Sequence, residues 1–575
     1  MDDVAQTTTQ KETVAQGLLS ALHARGVDYV FANAGTDFAP IIEGLVNSTR
    51  ANAKIPTFVT VPHETVAVAM AEGYYQASGK LAGVMVHVNV GTANALCMLM
   101  NAARDCSPIL LMAGRTPLTE TGHHGSRNGL IHWGQENFDQ GGMLREQVKW
   151  DYELRTDQPV DTVIGRAIDI AMAEPRGPVY LTLPREVLGN EIKSLGNWVP
   201  DREPGVAQSI PAQAVLEAAA KMIANAENPL IITGKGSSSG TPELFEALGR
   251  LAADYAIPVV QVGDPSLPTD HPMNLGFRSQ LYCKDADVIV VAECPVPWMP
   301  RMGEPKPDAK VIQLGPDPLY QRYPFRGFHA DLAAPGSTAP TFVALHGALA
   351  EATKGKKTQI EARRKRIAAE REKIVAERLA LIEKVKSATP ISPVWLTHCV
   401  NQVKAKDAIV ISELGVNPDI LQHNGPRSWV SAGLAGALGF GLGGALGAKM
   451  AQKNREVICA VGDGSYMFGC PTAAHYVGRA ENLPILNIVA NNNMWFAVRS
   501  STLGMYPNGN AAKANAMPLT ELSPSPSFEK TIEACDGYGE QVSDPAKLQG
   551  ALERCLDKVH GGQQALLNVR TAATR

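Results

Sequence analysis

Short runs of β-branched and aliphatic residues recur along most of this chain, and stretches with the apolar spacing of helices separate them. In the first third of the chain these runs cover residues 29–32, 57–61, 84–88, 109–112 and 179–183. Strands that are apolar on both faces and alternate with helices are typical of a parallel sheet that helices cover on each side. The pattern therefore predicts a parallel α/β domain at the start of the chain.

The same alternation continues to the end of the sequence. A second block carries apolar runs at 229–233, 258–262, 288–291 and 310–314, and a third at 408–411, 457–461, 485–489 and 565–569. Between these blocks, interleaved Glu, Lys, Arg and Ala are typical of an exposed helix. We predict an α/β fold of three doubly wound parallel-sheet domains, at 1–190, 208–348 and 391–575, with a helical connector at 349–390.

Composition and charge exclude several classes of protein. Of 575 residues, 53 are Lys or Arg and 57 are Asp or Glu, so the net charge of −4 offers no basic excess to nucleic acid or to an anionic membrane. None of the nine cysteines forms a Cys-x-x-Cys pair, which argues against a zinc or redox site. The N-terminus lacks the basic and apolar profile of a signal peptide. We expect a cytoplasmic protein without a nucleic-acid or membrane partner.

One uncharged segment is long enough to cross a bilayer. Residues 428–448 contain no charged side chain, but seven of these 21 residues are glycine. Glycine lowers helix stability and lets other backbone approach closely. The segment is therefore interpreted as a turn followed by a buried helix.

The most informative motif leaves an apolar strand and enters a helical pattern. It reads Gly462-Asp463-Gly464-Ser465. Glycines let backbone approach a ligand, and the start of a helix favours phosphate. Because Asp463 places a carboxylate where a phosphate would bind, we expect a hard divalent cation, best Mg²⁺, to bridge the two. Residues 490–494 follow the next strand and supply further amide and carbonyl oxygens.

This pairing of Gly-Asp-Gly with a later Asn-Asn resembles the signature of enzymes that use thiamine diphosphate. In that family the Asp, the second Asn and a carbonyl two residues beyond bind the metal. The resemblance therefore implies metal ligation by Asp463, Asn492 and Met494. It also implies that Gly462, Gly464 and Ser465 bind the cofactor beside Asp463 and Asn492.

A second motif, Pro62-His63-Glu64, ends a strand and begins a helical run. Alone, Glu64 would be a carboxylate that the helix dipole stabilises. The segment resembles the pyrimidine-binding domain of acetolactate synthase and benzoylformate decarboxylase relatives, where the catalytic Glu stands in this context. The resemblance implies that Glu64 hydrogen-bonds the pyrimidine ring and favours the tautomer that removes the thiazolium C2 proton.

Two further expectations follow from the resemblance. Leu438, otherwise an ordinary core leucine, would lie under the bend of the cofactor. Since one end of the cofactor is held by the first domain and the other by the third, the family builds its site between subunits. We therefore expect a homodimer or homotetramer with active sites at the subunit interface.

Three residues are candidates for substrate or cofactor contact. The segment around His87 is similar to benzoylformate decarboxylase, where a histidine at this position relays protons; a hydrogen-bonded strand histidine is the alternative. The segment around Gln135 resembles acetolactate synthases, where the Gln lies near the cofactor; loop packing is the alternative. Glu413 lies in a segment similar to the decarboxylase and joins the cofactor-binding candidates.

The sequence also departs from these relatives. Near residues 295–298 there is no counterpart of the second active-site histidine of benzoylformate decarboxylase. Ser501 stands near the position where acetolactate synthases carry a tryptophan that selects the second keto acid. The Arg-Phe-Asp-Asp-Arg segment of the flavin-containing synthases is absent, so FAD is not expected.

Together these features predict a thiamine diphosphate- and Mg²⁺-dependent lyase that cleaves a carbon–carbon bond next to a carbonyl. The expected reaction is decarboxylation of a small 2-oxo acid or acyl substrate, with possible carboligation. The alternatives are a 2-hydroxyacyl-CoA lyase or oxalyl-CoA decarboxylase, an acetolactate synthase-like carboligase, and a non-catalytic cofactor-binding homologue.

Overall fold

The computed structural model describes residues 12–193, 202–514 and 517–573. The expectation about the N-terminal segment concerns residues 1–11, which lie outside the described residues. The chain divides into two compact units: the first contains Met1–Glu72, Lys80–Ala103 and Pro108–Val206, and the second Gly73–Gly79, Arg104–Ser107 and Ala207–Arg575. The predicted domain boundaries remain a prediction.

The first unit is built on a six-stranded, fully parallel sheet in the order β2-β1-β3-β4-β6-β5. Its strands are β1 Tyr29–Ala32, β2 Thr57–Thr60, β3 Ala82–Val86, β4 Ile109–Arg115, β5 Asp151–Glu153 and β6 Val179–Pro184. The helices along this part of the chain are α1 Val14–Ala24, α2 Ala39–Arg50, α3 Glu64–Ser78, α4 Val88–Arg104, α5 Ile131–Gly134, α6 Val160–Met172 and α7 Arg185–Gly189.

The second unit begins with a five-stranded parallel sheet in the order β11-β10-β9-β7-β8. Its strands are β7 Pro229–Thr233, β8 Val259–Gln261, β9 Val288–Ala292, β10 Lys310–Gly315 and β11 Leu332–Pro335. The helices are α8 Gln213–Asn225, α9 Pro242–Tyr255, α10 Thr338–Ala352 and α11 Lys357–Val385. The long helix α11 falls where the charge pattern predicts the connector, and most of its side chains are exposed or half-buried.

A third parallel sheet, in the order β13-β12-β14-β15-β17-β16, completes the second unit. Its strands are β12 Ile409–Glu413, β13 Trp429–Ser431, β14 Val457–Gly462, β15 Leu486–Asn491, β16 Tyr538–Val542 and β17 Ala565–Arg570. The helices are α12 Pro393–Val403, α13 Phe440–Ala451, α14 Asp463–Phe468, α15 Pro471–Ala480, α16 Phe496–Met505, α17 Asn510–Ala514, α18 Glu529–Glu533 and α19 Leu548–His560.

Three parallel sheets with helices confirm the predicted fold class. The central strands explain why the pattern was readable: every residue of β3, β7, β9 and β12 is buried. Burial on both faces requires continuous apolar runs. Buried clusters of aliphatic side chains accordingly pack against each sheet.

The uncharged glycine-rich segment folds as a turn and a buried helix, as expected. Residues 432–439 form an irregular loop after β13, and nearly all of α13 is buried within the second unit. Among the described residues, no helix is both long enough and apolar enough to cross a membrane.

Candidate active site

Polar side chains gather at the carboxyl edge of the first sheet, where parallel strands commonly present their functional groups. Asn33 and Asp37 follow β1, Glu64 follows β2, His87 follows β3, and Gln135 lies in the segment after β4. Because β1, β2, β3 and β4 are neighbours in the sheet, their strand ends converge. Hydrogen bonds join these residues into two groups around Glu64 and His87.

Glu64 is the first residue of α3 and is only 6% exposed. Its Oε1 accepts a hydrogen bond from Asn33 Nδ2 at 3.0 Å, and its Oε2 accepts one from Asn94 Nδ2 at 3.2 Å. Gly91 packs beside it: a Cβ there would lie 3.2 Å from Glu64 Oε1. The carboxylate is thus held in one orientation by two neutral amides, and no ion pair with Lys or Arg occurs among the described residues.

His87 lies immediately after β3 and pairs with a buried carboxylate. Its Nδ1 is 2.5 Å from Oδ1 of Asp37, a residue that is 3% exposed. This hydrogen bond is the largest influence on the imidazole and raises the pKa of His87, although burial opposes it; the charges of Asp37 and Glu64 raise it further. His87 is therefore protonated to a higher pH than an ordinary histidine.

Two glycines make room for this pair. A Cβ on Gly35 would lie 2.0 Å from His87 Nδ1, and a Cβ on Gly114 would lie 1.8 Å from Asp37 Oδ2. Neither position could carry a side chain without displacing the imidazole or the carboxylate. The close approach of backbone on both sides fixes the His87–Asp37 geometry.

The second ring nitrogen of His87 faces Gln135. The two Nε2 atoms are 3.2 Å apart. Gln135 can donate to a neutral imidazole that keeps its proton on Nδ1, whereas a protonated His87 requires the amide oxygen of Gln135 at the same place. Rotation of the Gln135 amide thus matches either protonation state, so the side chain can follow proton transfer at Nε2.

Sequence reasoning missed Asp37. The residue stands in Gly35-Thr36-Asp37 directly after the first strand, and polar residues at that edge are the available signal. Both interpretations of His87, structural and catalytic, predict a hydrogen-bond partner for its imidazole. Only the folded chain reveals that this partner is a carboxylate 50 positions earlier.

A second group lies at the carboxyl edge of the third sheet. Gly462 in β14 pairs with Ala490 in β15, which brings Asp463 beside the Asn-rich segment. Asp463 is 3% exposed; its Oδ1 accepts from Gly464 N at 3.0 Å and its Oδ2 from Asn493 N at 2.7 Å. Burial raises the pKa of Asp463 despite these hydrogen bonds, since no lysine or arginine pairs with it in the described part of the chain.

The other two predicted metal ligands, Asn492 and Met494, follow the end of β15. Asn492 Oδ1 accepts a hydrogen bond from Met494 N at 3.0 Å, which fixes the turn between them. Oδ1 of the neighbouring Asn493 is buried and has no hydrogen-bond partner among the described residues. Oxygen atoms of a carboxylate, an amide and a backbone carbonyl are thus available close to one another.

The second glycine of the motif has a packing role. A Cβ on Gly464 would lie 2.1 Å from the ring of Trp495, so only glycine lets α14 approach the Asn-rich segment. Gly462 has no such restriction, because a Cβ there would meet only ordinary contacts. Ser465 is buried in α14, one turn after Gly462.

Glu413 and Leu438 lie around one loop. Glu413 ends β12, and its Oε1 and Oε2 accept hydrogen bonds from the backbone N–H groups of Gly439 and Gly441, each at 2.8 Å. Burial raises the pKa of Glu413 to about 7 even though these hydrogen bonds oppose the shift. Half-buried Leu438 precedes Gly439, so Glu413 fixes the end of the loop that presents Leu438.

The donor set at Asp463 fits a magnesium ion. A buried carboxylate with no positive partner, an orphaned amide oxygen nearby and a backbone carbonyl are the hard oxygen ligands that Mg²⁺ accepts, with phosphate and water completing its octahedron. Among the described residues, no cluster of three or more His, Cys, Asp and Glu side chains could hold a metal. A site with one carboxylate therefore suits a metal ion whose remaining ligands include phosphate oxygens.

The candidate residues thus form three local groups. Glu64, His87 and Gln135 lie at the edge of the first sheet, in the first unit. The second unit contains the other two groups: one is the phosphate and metal motif (Gly462, Asp463, Gly464, Ser465, Asn492 and Met494), and the other is Glu413 with Leu438. Their roles remain predictions.

Comparison with known proteins identifies the family. Residues 12–143 match the family described as thiamine pyrophosphate enzyme, N-terminal TPP binding domain; residues 216–323 match the central domain, and residues 416–569 the C-terminal TPP binding domain. Together these matches cover more than half of the chain. The protein belongs to the thiamine pyrophosphate enzymes, which confirms the predicted superfamily and enzymatic class.

Similar proteins span nearly the whole chain. A Methanocaldococcus jannaschii protein named "Probable acetolactate synthase large subunit" is 26% identical, over 94% of this chain and 89% of its own. Human 2-hydroxyacyl-CoA lyase 1 is 24% identical, over 96% and 93%. A solved structure, the thiamine diphosphate-dependent 4-hydroxybenzoylformate decarboxylase of Rhodococcus jostii, shares the fold with a TM-score of 0.78 and 20% identity, over 98% and 99%.

Proposed function

We propose that this protein is a thiamine diphosphate- and Mg²⁺-dependent lyase that decarboxylates a 2-oxo acid. The observation that carries the proposal is the group at the first sheet edge. There Glu64, a buried carboxylate, lies at the same sheet edge as a histidine–aspartate pair whose hydrogen bond raises the pKa of His87. The family assignment gives this carboxylate a cofactor to act on.

Each part of the chain has a distinct task in this proposal. Asp463, the Asn492 side-chain oxygen and the Met494 carbonyl would hold Mg²⁺, and Leu438 would support the bound cofactor. Glu64 would hydrogen-bond the pyrimidine ring, and the two amides that donate to its oxygens keep the carboxyl group in one orientation. When bound, thiamine diphosphate supplies the electron sink that carbon–carbon cleavage next to a carbonyl requires.

The His87–Asp37 pair favours decarboxylation to an aldehyde over ligation of two keto acids. After carbon dioxide leaves, formation of an aldehyde requires a proton to be delivered to the former carboxyl-bearing carbon. A protonated His87 would provide this donor: the hydrogen bond to Asp37 raises the His87 pKa, and Asp37 stabilises the charge of the imidazole until the proton is transferred. Gln135 then hydrogen-bonds the neutral ring and keeps it in position.

We further propose a homodimer or homotetramer with active sites at the subunit interface. Large apolar side chains are exposed near both candidate groups, and contiguous exposed apolar surface usually marks a protein–protein contact. In the first unit these include Leu130, Trp133 and Phe138, and in the second Leu434, Phe468 and Tyr476. A second subunit would cover them.

A second candidate is a lyase that acts on a 2-hydroxyacyl thioester. It is supported by the similarity to human 2-hydroxyacyl-CoA lyase 1 over almost all of both chains. This reaction also breaks a carbon–carbon bond beside an oxygen-bearing carbon and also needs a proton donor such as His87. It differs in releasing formyl-CoA rather than carbon dioxide.

The test is product release by the purified protein, with and without thiamine diphosphate and Mg²⁺. Substrates are pyruvate, branched and aromatic 2-oxo acids, oxalyl-CoA and a 2-hydroxyacyl-CoA. The proposal predicts carbon dioxide release that requires both cofactors and that the isosteric variant Glu64→Gln lowers strongly. Formyl-CoA release would favour the second candidate, and turnover without thiamine diphosphate would contradict both.

A further inference from the structure

The second unit contains a buried lysine that the proposed mechanism does not use. Lys235 follows β7, and its side chain is only 8% exposed. Its Nζ lies 2.6 Å from Asp105 Oδ2 and 3.6 Å from Asp264 Oδ2, and it donates to the backbone oxygen of Ser431 at 2.7 Å. Both carboxylates are almost inaccessible, at 1% and 3% exposure. A buried cation with two buried anions is costly to assemble and requires good geometry.

Both carboxylates also bind the loop that precedes α13. Asp264 Oδ1 accepts hydrogen bonds from Ser431 N at 2.8 Å and Ser431 Oγ at 2.7 Å. Asp105 Oδ1 accepts one from Leu434 N at 3.2 Å. Each aspartate therefore uses one oxygen to face Lys235 and the other to hold the backbone between residues 431 and 434.

The loop 432–439 is thus held at both ends. The Lys235 cluster fixes its start at Ser431 and Leu434, and Glu413 fixes its end at Gly439. Residues between these anchors include Leu438, and Gly436 adopts a φ of +71°, which a side chain would disfavour. These anchors fix the backbone on both sides of Leu438.

We propose that Lys235 is a positioning residue that sets the loop 432–439, and through it Leu438, for the cofactor. The inference rests on the proposed function, because it assigns the loop its role beneath the bound cofactor. Lys235 acts by neutralising the two carboxylates that hold the start of the loop and by donating to Ser431. In this role Lys235 acts through the loop and not directly on substrate or cofactor.

Removal of the amine makes a specific change. Lys235→Met keeps the unbranched side chain as far as Cε but removes the amine, which leaves Asp105 and Asp264 buried with no cation between them. Their repulsion and loss of solvation push them apart or draw in water, and either response moves Ser431 and Leu434. Lys235→Met/Asp105→Asn removes one of the two charges and keeps an amide oxygen for Leu434 N, so it relieves part of the disturbance.

The first measurement needs no cofactor: hydrogen–deuterium exchange of backbone amides in the full-length protein, read by mass spectrometry. We expect Lys235→Met to speed exchange in peptides covering residues 431–441 by about tenfold or more, and the double variant to recover part of it. Peptides from β15 serve as an internal reference. Arg25→Met is the matched control, because Arg25 is a buried cation (2% exposed) paired with Asp169 at 2.5 Å in the first unit.

The second measurement is the rate of deuterium exchange at C2 of bound thiamine diphosphate, with cofactor affinity from tryptophan fluorescence. We expect Lys235→Met to slow C2 exchange about tenfold or more, with affinity changed less than threefold, because a small misplacement affects reactivity more than binding. The melting temperature should fall for both Lys235→Met and Arg25→Met, but only the former should change the loop and C2 exchange.

The outcomes separate this inference from the proposed function. If wild-type protein neither binds thiamine diphosphate nor exchanges C2, the proposed function fails, whereas the amide measurement still reports on the loop. If the cofactor behaves as proposed but loop exchange in Lys235→Met equals that of wild type, Lys235 is not a positioning residue. If Lys235→Met does not fold, Lys235→Met/Asp105→Asn is measured instead. Loop exchange and C2 exchange at the wild-type rates in this double variant would overturn the inference. Faster loop exchange together with slower C2 exchange would support it.

Discussion

The sites at the edges of the first and third sheets differ in the groups that hydrogen-bond their buried carboxylates. At the first sheet, Glu64 and Asp37 are held by side chains: two amides bind Glu64, and an imidazole pairs with Asp37. At the third sheet, Asp463 and Glu413 receive only backbone N–H groups as described hydrogen-bond donors, and burial raises the pKa of each. We propose that the first arrangement holds and moves protons, and that Asp463 in the second binds a cation.

This difference explains why one site was easier to read in the sequence. A site built on backbone groups needs its residues in a fixed local order, so Asp463 and Asn492 lie in short contiguous motifs. A site built on side-chain pairs takes each member from a different segment. His87 and Asp37 meet only because their strands are adjacent in the sheet.

We expect the largest loss of turnover at Glu64, because the proposed function assigns proton transfer to the edge of the first sheet. Glu64→Gln keeps the shape but cannot share a proton with the pyrimidine ring, so turnover should fall about 10²–10⁴-fold. Cofactor affinity should change little, because one asparagine still donates to the remaining side-chain oxygen and the other can rotate its amide to accept from the new NH2 group. Steady-state turnover and thiamine diphosphate titration measure the two effects, and an active variant would remove Glu64 from the mechanism.

Asp463 should show the reverse pattern, a loss of binding. Asp463→Asn removes the only carboxylate of the proposed metal set, so affinity for thiamine diphosphate with Mg²⁺ should fall about 100-fold or more. At saturating cofactor much of the turnover should return. Calorimetric titration of the cofactor at several Mg²⁺ concentrations measures the change. Unaltered Mg²⁺ dependence would place the metal elsewhere.

A smaller effect is expected at Asp37, which acts through His87. Asp37→Asn removes the interaction that most raises the His87 pKa, so that pKa should fall. If protonated His87 is the donor, the alkaline limb of the pH–turnover profile moves to lower pH, with about a tenfold loss above neutrality. Profiles of both proteins across pH 5.5–9 test this. Superimposable profiles would leave the pair a structural role.

The smallest effect concerns stability near Glu413. Its folded-state pKa of about 7 lies above the ordinary value of 4.5, so its protonated form stabilises the fold below pH 4.5 and this contribution is lost as the pH rises to about 7. Glu413→Gln does not titrate, and its melting temperature should decline less over that interval. If the melting temperatures of variant and wild type changed with pH in the same way, Glu413 would be ionised in the folded protein over this whole pH interval. That result would contradict the raised pKa.

Three of the four strands that sequence reasoning missed share a physical cause. The expected runs correspond to every central strand, but β5, β11, β13 and β16 were not predicted. All four are sheet edges. β5 and β11 are only partly buried and β16 is mostly half-buried, so their sequences lack the apolar run that central strands require.

Within the candidate site, pattern and geometry contributed different information. The position of Glu64 after a strand placed it at the sheet edge, but its two amide partners could not be read from spacing. Glu413 was selected by resemblance, whereas the structure shows that its oxygens accept hydrogen bonds from backbone N–H groups at the start of α13. The Lys235 cluster had no sequence signal, because it joins residue 105, residues 235–264 and residues 431–434, and more than a hundred residues separate each of these segments from the next.

The most direct test of the account asks whether both sheet edges act on one cofactor across a subunit interface. Glu64→Gln and Asp463→Asn are each inactive at limiting cofactor, and the two are co-expressed with different tags. A mixed dimer then contains one site with wild-type Glu64 and Asp463. Because half of randomly assembled dimers are mixed and each has one intact site, turnover should return to about a quarter of wild type. No recovery in purified mixed dimers would contradict a site shared between subunits.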